Sequence, residues 1–370
     1  MAQTKTPLQK VNYLERYLIE ELVEDYQEGH LSRREMIRRA LLITGSVPLT
    51  ASILLSLGCG SSTSPTNTPA AAVATATSPA AAAVSPTAAP TRAATAASPT
   101  GGASPTRAAT AAGAASPAGS PRAGSPGATP NPVTVSPTDP AIEAGAVEFP
   151  GKAGTIKGYK SQPKGATKAP GIIVIHQNRG LEEHTKDITR RYAKDGFVAV
   201  AVDLLSRLGG TDTITDPGQI QAGLRNANDL ADDLVSGVAY LKGLSNFMGP
   251  KAGAVGYCFG GNMAWLLATR STDLGAAIPY YGTPPDPIDD LQKVTAAVLA
   301  FYGENDQRVT GTQPAAEATM KKYNKAFEYK IYPGAGHAFN DDTRPQAYNA
   351  AAAKDAYQRS LDWFNKYLKG

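Results

Sequence analysis

The sequence GYCFGG at residues 256–261 places Cys258 inside a frame of glycines, between a strand-like run and a helix-like run. Glycines beside a nucleophile allow the tight, strained turn that exposes the central side chain at a strand-to-helix junction. The positive end of the following helix lowers the pKa of a thiol and favours a developing oxyanion. A lone cysteine is otherwise a small buried hydrophobic residue. The glycine frame and its context favour a catalytic nucleophile at Cys258.

Two polar residues follow Cys258 in the order, acid then base, that such a nucleophile requires. Asp306 lies in GENDQRV and His337 lies in GAGHAF, each just past a strand-like apolar run. In this arrangement His337 takes the thiol proton and later gives it to the leaving group, while Asp306 fixes the tautomer of the imidazole. Other interpretations stay open: Asp306 could be a turn residue, Glu304 could replace it, and His337 could be an exposed loop histidine.

Short apolar runs alternate with amphipathic segments throughout residues 141–370. Runs this short and uniformly apolar are typical of strands buried on both faces of a parallel sheet. The predicted strands are residues 171–175, 197–202, 253–255, 276–281, 296–302 and 327–332. The predicted helices are residues 185–194, 227–241, 261–270, 313–323 and 351–368. The alternation predicts an α/β fold, with a mostly parallel, doubly wound sheet and helices on both faces. Residues 206–226 are expected to form a loop over the site.

The composition excludes several classes of protein. The 370 residues include 36 Lys or Arg and 32 Asp or Glu, for a net charge of +4, and no region has the basic excess that tracks nucleic-acid phosphates. The two cysteines, Cys59 and Cys258, rule out a disulfide framework. The four histidines lack the HExxH spacing, and we predict no metal.

The chain divides into three regions by composition. Residues 61–140 consist mostly of Ala, Pro, Thr, Ser and Gly. Such a segment buries too little apolar surface to offset chain entropy, so we predict a disordered linker. It separates an N-terminal segment, residues 1–60, from a domain at residues 141–370, whose size suits a single hydrophobic core.

The N-terminal segment resembles a bacterial export signal. Arg33 and Arg34 precede an uncharged stretch at residues 40–58, as in a twin-arginine signal. A single membrane span is the alternative, although an interior glycine and proline dilute the hydrophobicity that a stable span needs. Cys59 ends this stretch in a lipobox-like sequence, which makes it a candidate lipidation site, the alternative being an incidental cysteine. We expect an exported protein, tethered to the outer face of the cytoplasmic membrane through this lipid or signal anchor alone.

The motifs GYCFGG, GENDQRV and GAGHAF together resemble those of the dienelactone hydrolase family, and the resemblance covers residues 146–370. It implies an α/β-hydrolase fold, no cofactor, and hydrolysis of a small-molecule ester or lactone through an acyl-enzyme on Cys258. The segment IHQNRGL at residues 175–181 matches the family's loop after an early strand. This match implies an oxyanion hole formed by the backbone N–H groups of Phe259 and Asn178, with His176 in a structural role.

Two positions depart from the family's pattern. Members with dienelactone activity carry a Glu at the position of Gln177, which accepts the thiol proton in the resting state. A neutral amide cannot do this, so Cys258 is expected to depend on His337 alone, as a thiolate–imidazolium pair. Those members also carry an Arg four residues past the catalytic histidine. This chain has Asp341 there, which would repel a substrate carboxylate.

Two further residues are candidates for the substrate pocket. Arg179 could supply a replacement anchor for an anionic substrate, or it could be a solvated loop charge. Tyr281 in PYYG resembles the family's pocket tyrosine, with core packing as the alternative. Two other functions stay open at this point: a binding module on a hydrolase scaffold, and the same chemistry on a thioester or amide. The sequence leaves the native substrate and the oligomeric state open.

Overall fold

Eight strands form one mixed sheet in the computed structural model, which describes residues 6–59 and 134–369. The strands are β1 (Ile142–Gly151), β2 (Gly154–Pro163), β3 (Ala169–Ile175), β4 (Val198–Val202), β5 (Phe247–Tyr257), β6 (Leu274–Tyr280), β7 (Ala297–Gly303) and β8 (Phe327–Tyr332). Their order across the sheet is β1-β2-β4-β3-β5-β6-β7-β8. All neighbours from β4 to β8 are parallel, whereas β1 and β2 form an antiparallel hairpin that joins β4 at one edge.

Helices connect the parallel strands and cover the sheet. The described helices are α1 (Tyr13–Gln27), α2 (Arg33–Thr44), α3 (Val47–Ser56), α4 (Glu183–Lys194), α5 (Pro217–Gly223), α6 (Ala227–Gly243), α7 (Phe259–Arg270), α8 (Gln307–Thr310), α9 (Gln313–Lys322) and α10 (Ala350–Leu368). Every residue of β3, β4 and β7 is buried, as expected for strands covered on both faces. The predicted α/β fold is confirmed, and all six predicted strands and five predicted helices are present with shifted ends.

The antiparallel hairpin β1–β2 and the segment after β4 differ from the sequence-based expectation. Buried and exposed residues mix along β1 and β2, so neither strand contains the continuous apolar run that marks a central strand. Residues 206–226 form two short 3₁₀ turns and α5 rather than an open loop.

The loops at the carboxyl ends of β3, β5, β7 and β8 carry the predicted site residues Asn178, Cys258, Asp306 and His337. These strands are parallel, so their carboxyl ends lie at the same edge of the sheet. In open α/β sheets this edge is where ligands bind.

The N-terminal helices pack in the same compact unit as the sheet. Helix α1 begins after Asn12, whose side chain accepts hydrogen bonds from the backbone N–H groups of Leu14 and Glu15, a common N-cap. Leu14, Leu18 and Leu22 are buried, because residues four apart share one face of a helix. Helix α1 packs on α2, and α2 packs on α3 and α5.

This packing differs from the predicted division into a segment at residues 1–60 and a domain that begins at residue 141. Residues 6–59 pack with the domain. Residues before 141 belong to the domain too, since the backbone N–H groups of Thr134 and Val135 donate to Asp187. Most of the predicted linker, residues 61–133, lies outside the described residues.

The uncharged stretch at residues 40–58 is divided between two helices. Helix α2 ends at Thr44, and its C-cap residue Gly45 has a φ of 66°, a left-handed conformation that glycine adopts without strain. Helix α3 begins directly after Ser46, whose side chain caps it. In the described ranges, no helix combines the length and the apolar character needed to cross a bilayer.

Candidate active site

Cys258 lies at a strained turn between β5 and α7. Its φ of 57° and ψ of −121° are a conformation that residues other than glycine rarely adopt. The neighbouring chain passes very close: a Cβ at Gly256 would overlap the Gly260 carbonyl oxygen, and a Cβ at Gly260 would overlap the Ile175 carbonyl oxygen. The structure therefore contains the turn that the glycine frame predicts, and the glycines are required for it.

Asp306 and His337 meet on the loops that follow β7 and β8. Oδ2 of Asp306 lies 2.6 Å from Nδ1 of His337, and Oδ1 of Asp306 accepts a hydrogen bond from the backbone N–H of Val309. Glu304, the alternative acid, is exposed and accepts from the Gly334 backbone N–H instead. The structure therefore brings Asp306, and not Glu304, to the imidazole.

The thiol of Cys258 donates a hydrogen bond to a carboxylate on α1. Its Sγ lies 2.9 Å from Oε1 of Glu21 and 3.5 Å from the hydroxyl oxygen of Tyr17. A ring nitrogen of His337 lies within 4.8 Å of Sγ, and Nε2 of His337 lies 3.6 Å from the same Glu21 oxygen. Within the described part of the chain, Nε2 has no hydrogen-bond partner. Glu21 therefore stands beside both the thiol and the imidazole.

Burial and the neighbouring charges together raise the pKa of the thiol and that of the imidazole. Burial raises the pKa of Cys258, and the Glu21 carboxylate raises it further. Burial alone would lower the pKa of His337, but the Asp306 carboxylate outweighs it and holds that pKa well above its ordinary value. Burial alone would raise the pKa of Asp306, but His337 outweighs it and lowers that pKa.

The expectation that Cys258 depends on His337 alone is therefore wrong for this structure. That expectation rested on Gln177, which carries no charge. The structure supplies a carboxylate to the thiol from a different part of the chain, at Glu21. Burial and this carboxylate both raise the pKa of the thiol, which disfavours the thiolate.

The backbone N–H groups of Phe259 and Asn178, the predicted oxyanion-hole donors, lie near the start of α7 and in the loop after β3. In the described residues, neither the N–H of Phe259 nor the N–H of Asn178 donates to a protein acceptor. The close contact of Gly260 with the Ile175 and His176 carbonyls brings the loop after β3 against the start of α7. Both Phe259 and Asn178 are buried. These are features that an oxyanion hole needs.

Gln177 and Asp341, the two positions that depart from the family's pattern, are hydrogen-bonded to each other. Nε2 of Gln177 donates to Oδ2 of Asp341 over 2.9 Å, and Oδ1 of Asp341 accepts from the Thr343 backbone N–H and hydroxyl. Asp341 is only 2% exposed. Its carboxylate is therefore committed to this network.

A cavity of about 630 Å³ lies between the N-terminal helices and the sheet edge. Glu21, Asn178, Arg179 and Arg344 are among its lining residues. Arg179 is exposed, so its guanidinium is a solvated charge at the cavity wall. Arg344 was not predicted; it lies seven residues past His337 and interacts electrostatically with Cys258, Asp341 and Glu21.

Tyr281 and His176 are both fully buried beside the site. The ring of Tyr281 packs edge-on against His337, with centroids 5.0 Å apart, and its hydroxyl has no partner among the described residues. His176 has both ring nitrogens bonded to the main chain: Nδ1 to the Gln177 carbonyl and Nε2 to the Leu204 N–H. His176 therefore has the structural role expected of it.

Two groups of side chains have three metal-type donor atoms within 4.8 Å of one another. The first is Glu21, Cys258 and His337, in which Oε1 of Glu21 accepts from the thiol and Nδ1 of His337 is bonded to Asp306, while Nε2 has no hydrogen-bond partner among the described residues. In the second, the ring of His184 lies between Asp341 and Asp342, with one nitrogen toward each carboxylate. Both groups contain a pairing between their own members, a hydrogen bond in the first and ion pairs in the second.

Cys59, the candidate lipidation site, is partly buried next to an apolar groove. The groove has a volume of about 300 Å³ and is lined mainly by residues of α2 and α3. Nη2 of Arg33 donates to the Cys59 carbonyl over 3.4 Å. Burial raises the pKa of the Cys59 thiol, so its local environment does not activate it.

Residues 156–368 match the model of the dienelactone hydrolase family. A protein described as a carboxymethylenebutenolidase in Escherichia coli strain K12 is 33% identical over 263 residues, covering 66% of this chain and 94% of the relative. A protein with the same description from Methylorubrum extorquens is 32% identical, covering 63% of this chain and 84% of the relative. The chain belongs to the dienelactone hydrolase family.

Solved structures agree with this assignment. The crystal structure of a protein described as a dienelactone hydrolase from Klebsiella pneumoniae is 29% identical, with a TM-score of 0.57, and the match covers 61% of this chain and all of the other. A dienelactone hydrolase-like promiscuous phosphotriesterase from metagenomic libraries shares the fold at 23% identity, with a TM-score of 0.56. The fold is therefore that of an α/β-hydrolase, and membership of the dienelactone hydrolase family makes the chain a carboxylic ester or lactone hydrolase.

Of the residues that sequence reasoning missed, Arg344 lies within the family match. Glu21 and Tyr17 precede it, because the match to the dienelactone hydrolase family begins at residue 156. The sequence of residues 12–39 has a helical pattern, and the spacing of Tyr17 and Glu21 places them on one helix face. No local signal connects that face to Cys258, more than 230 residues away.

Proposed function

We propose that this hydrolase cleaves an ester or a lactone through an acyl-enzyme on Cys258, with His337 as general base and acid and Asp306 as its orienting partner. The observation that carries the proposal is the strained turn at Cys258 together with the 2.6 Å contact between Asp306 and His337. A ring nitrogen of His337 lies within 4.8 Å of Sγ. Apo structures often show such a base further from its nucleophile than the reacting complex does.

The first half-reaction forms a thioester. Sγ of Cys258 bonds to the carbonyl carbon as its proton passes to Nε2 of His337, and the carbonyl electrons move onto oxygen. The collapse of this intermediate expels the alcohol oxygen, which takes the proton from Nε2. In a lactone the alcohol remains attached to the acyl group, so ring opening leaves a single tethered product.

The second half-reaction releases the acid. A water molecule gives a proton to Nε2 of His337 as its oxygen bonds to the thioester carbon, and the thiol leaves with that proton. Asp306 stabilises the imidazolium that forms in each half. The N–H groups of Phe259 and Asn178 are our candidates for stabilising the oxyanion, a contribution of about 3 kcal/mol per donor in a well-measured protease.

Two cysteines in one chain allow a matched test of the nucleophile. Cys258→Ala should lower hydrolysis of activated esters and lactones by at least about a thousandfold, while Cys59→Ala, which removes a thiol outside the site, should leave it unchanged. The assay is steady-state hydrolysis by the full chain, with the fold of each variant checked by circular dichroism. Retained turnover in a folded Cys258→Ala protein would contradict the assignment.

Export is a second part of the proposal. Arg33, Arg34 and the uncharged stretch that ends at Cys59 support a twin-arginine signal with a lipid on Cys59, which would place the enzyme on the outer face of the cytoplasmic membrane.

A further inference from the structure

Helix α1 places two polar side chains on the candidate nucleophile from outside the region that matches the family. Tyr17 and Glu21 are four residues apart and share a helix face, and both contact Sγ of Cys258. The family match begins at residue 156. The chemistry proposed above needs a thiol, an imidazole and an acid, and it gives no role to a second carboxylate at the sulfur.

Glu21 is a buried carboxylate with one oxygen committed to the thiol. Its residue exposure is 6%, and among the described residues Oε2 accepts no hydrogen bond. A buried carboxylate is costly unless cations compensate it. Arg308 and Arg344 both interact electrostatically with Glu21, and Arg308 also stacks on the ring of Tyr17 at 4.6 Å. The site is therefore built to hold a carboxylate at this position.

Glu21 also separates the thiol from the cavity beside it. Cys258 is 1% exposed. The 630 Å³ cavity is lined by Glu21, Asn178 and Arg344, whereas neither Cys258 nor His337 is among its lining residues. A substrate in this cavity therefore meets the Glu21 carboxylate before it can reach Sγ.

The N-terminal helices are held over the site by buried apolar side chains, among them Leu18 and Leu22, which belong to the same hydrophobic cluster as the sheet, and by ion pairs near the surface. Arg38 forms a two-bond ion pair with Asp216, at the start of α5, and Arg16 pairs with Asp286. Exposed pairs of this kind contribute little individually and are screened by salt. Since α1 packs on α2, the helices can leave the site together without exposing that shared face.

We propose that Glu21 is a positioning residue that keeps Cys258 as a neutral, covered thiol, and that the nucleophile becomes reactive only when α1 withdraws. The proposal rests on the proposed function, in which Cys258 is the nucleophile. In the closed state, the thiol proton lies between Sγ and Oε1 of Glu21. When α1 withdraws, that proton passes to Nε2 of His337, where the catalytic reaction needs it.

Alkylation of Cys258 by iodoacetamide tests this without using turnover. The full chain and its Glu21→Gln variant are alkylated between pH 5 and 9, and the modified Cys258 peptide is quantified by mass spectrometry. Glu20→Gln is the matched control, since it removes the same charge from the adjacent residue of α1, which does not contact the thiol. The charged and titratable groups that face Cys258 are Tyr17, Glu21, Tyr281, His337 and Arg344.

Glu21→Gln should lower the pH midpoint of alkylation and accelerate the reaction at pH 7 by at least about threefold. Below the midpoint, each unit of lowered pKa raises the thiolate fraction tenfold but weakens the thiolate, for a net gain of about three- to fourfold. Glu20→Gln should behave like the unmodified protein. An unchanged profile for Glu21→Gln, or slower alkylation, would overturn the proposal, because slower alkylation would make Glu21 an activating base.

A substitution at the surface provides a second test if the Glu21→Gln variant does not fold. Arg38→Gln removes the ion pair to Asp216 and should accelerate alkylation at pH 7 by about two- to fivefold. Arg34→Gln, an exposed arginine one turn away without an ion pair in the described residues, should not. Equal rates in these two variants would contradict release by withdrawal of α1. Failure of the proposed function has a different signature, namely hydrolysis by Cys258→Ala.

Discussion

Asp306 makes two different hydrogen bonds, and an asparagine could keep only one of them. Oδ1 accepts from the Val309 backbone N–H, which caps α8, and Oδ2 lies against Nδ1 of His337. An asparagine side chain has one oxygen, so keeping the cap turns its NH₂ group toward Nδ1. The imidazole would then carry its proton on Nε2, which could no longer accept a proton from the thiol. Asp306→Asn should therefore remove the general base while preserving the loop.

The expected loss in kcat/KM is about a hundredfold to ten-thousandfold, the range spanned by loss of general-base catalysis and by the wrong-tautomer variant of a serine protease triad. The stability cost should be about 1.5–3 kcal/mol, the usual contribution of a buried hydrogen bond to a charged group. The side chain is fully buried, but asparagine has the same shape as aspartate. The substitution therefore creates no cavity, and no destabilisation from a cavity adds to the cost of the lost hydrogen bond.

The directions of the two pKa shifts determine how the stability difference between the two proteins varies with pH. The pKa of Asp306 is lowered, so its contribution to stability is present above about pH 3.9 and is lost as the pH falls through the lower folded value. The pKa of His337 is raised, so its contribution is complete below about pH 6.5 and is lost as the pH rises through the higher folded value. Between these limits both contributions are complete, and the difference between the two proteins should be greatest there.

The assay pairs ester hydrolysis with urea unfolding at pH 5, 7 and 9. Glu304→Gln is the control, because it neutralises an exposed carboxylate in the same loop whose contact is the Gly334 backbone N–H. It should keep most of the activity. If Asp306→Asn kept more than about a tenth of kcat/KM, or if Glu304→Gln lost as much, the assignment of Asp306 would be refuted.

Two further predictions concern the departure positions and the N-terminal cysteine. Gln177→Glu would place a second carboxylate about 3 Å from Asp341. The two charges should repel, which should lower the free energy of unfolding by roughly 1–3 kcal/mol at pH 7 and by less at pH 4, as measured by urea unfolding. Adding Asp341→Asn to the same chain should restore stability. Equal stability of Gln177→Glu at both pH values would contradict the contact. In the native host, Cys59→Ser should move the enzyme from the membrane fraction to the soluble exported fraction; an unchanged membrane fraction would contradict lipid attachment at Cys59.

The parallel part of the sheet was predictable because its strands are buried on both faces. β3 and β4 are continuous runs of buried residues, so composition alone marks them. β1 and β2 form an antiparallel edge along which buried and exposed residues are mixed, and no apolar run reveals them. The sequence predicts that Cys258, Asp306 and His337 lie near one another, because each follows a predicted strand within a few residues and parallel strands bring their carboxyl ends together.

Contacts between distant segments of the chain could not be predicted from the sequence. The glutamine at position 177 correctly predicts that this position offers no charge to the thiol. The further inference, that no carboxylate contacts the thiol, was wrong. Such an inference holds only if no other segment reaches the site. The bond between Cys258 and Glu21 spans 237 positions, and nothing in the pattern of α1 distinguishes Glu21 from Glu20 or Glu24.

The same bond links the N-terminal segment to the chemistry of the domain. A segment that served only as an export signal would need no buried carboxylate, and a carboxylate placed at random would be unfavourable at a site of low polarity. Glu21 instead lies against a thiol donor, with Arg308 and Arg344 offsetting its charge. If export removes or displaces residues 13–27, the covering carboxylate leaves with them. The enzyme would then be restrained before export and released after it, and alkylation of Cys258 in cytoplasmic and exported fractions of the same cells distinguishes this from a permanently open site.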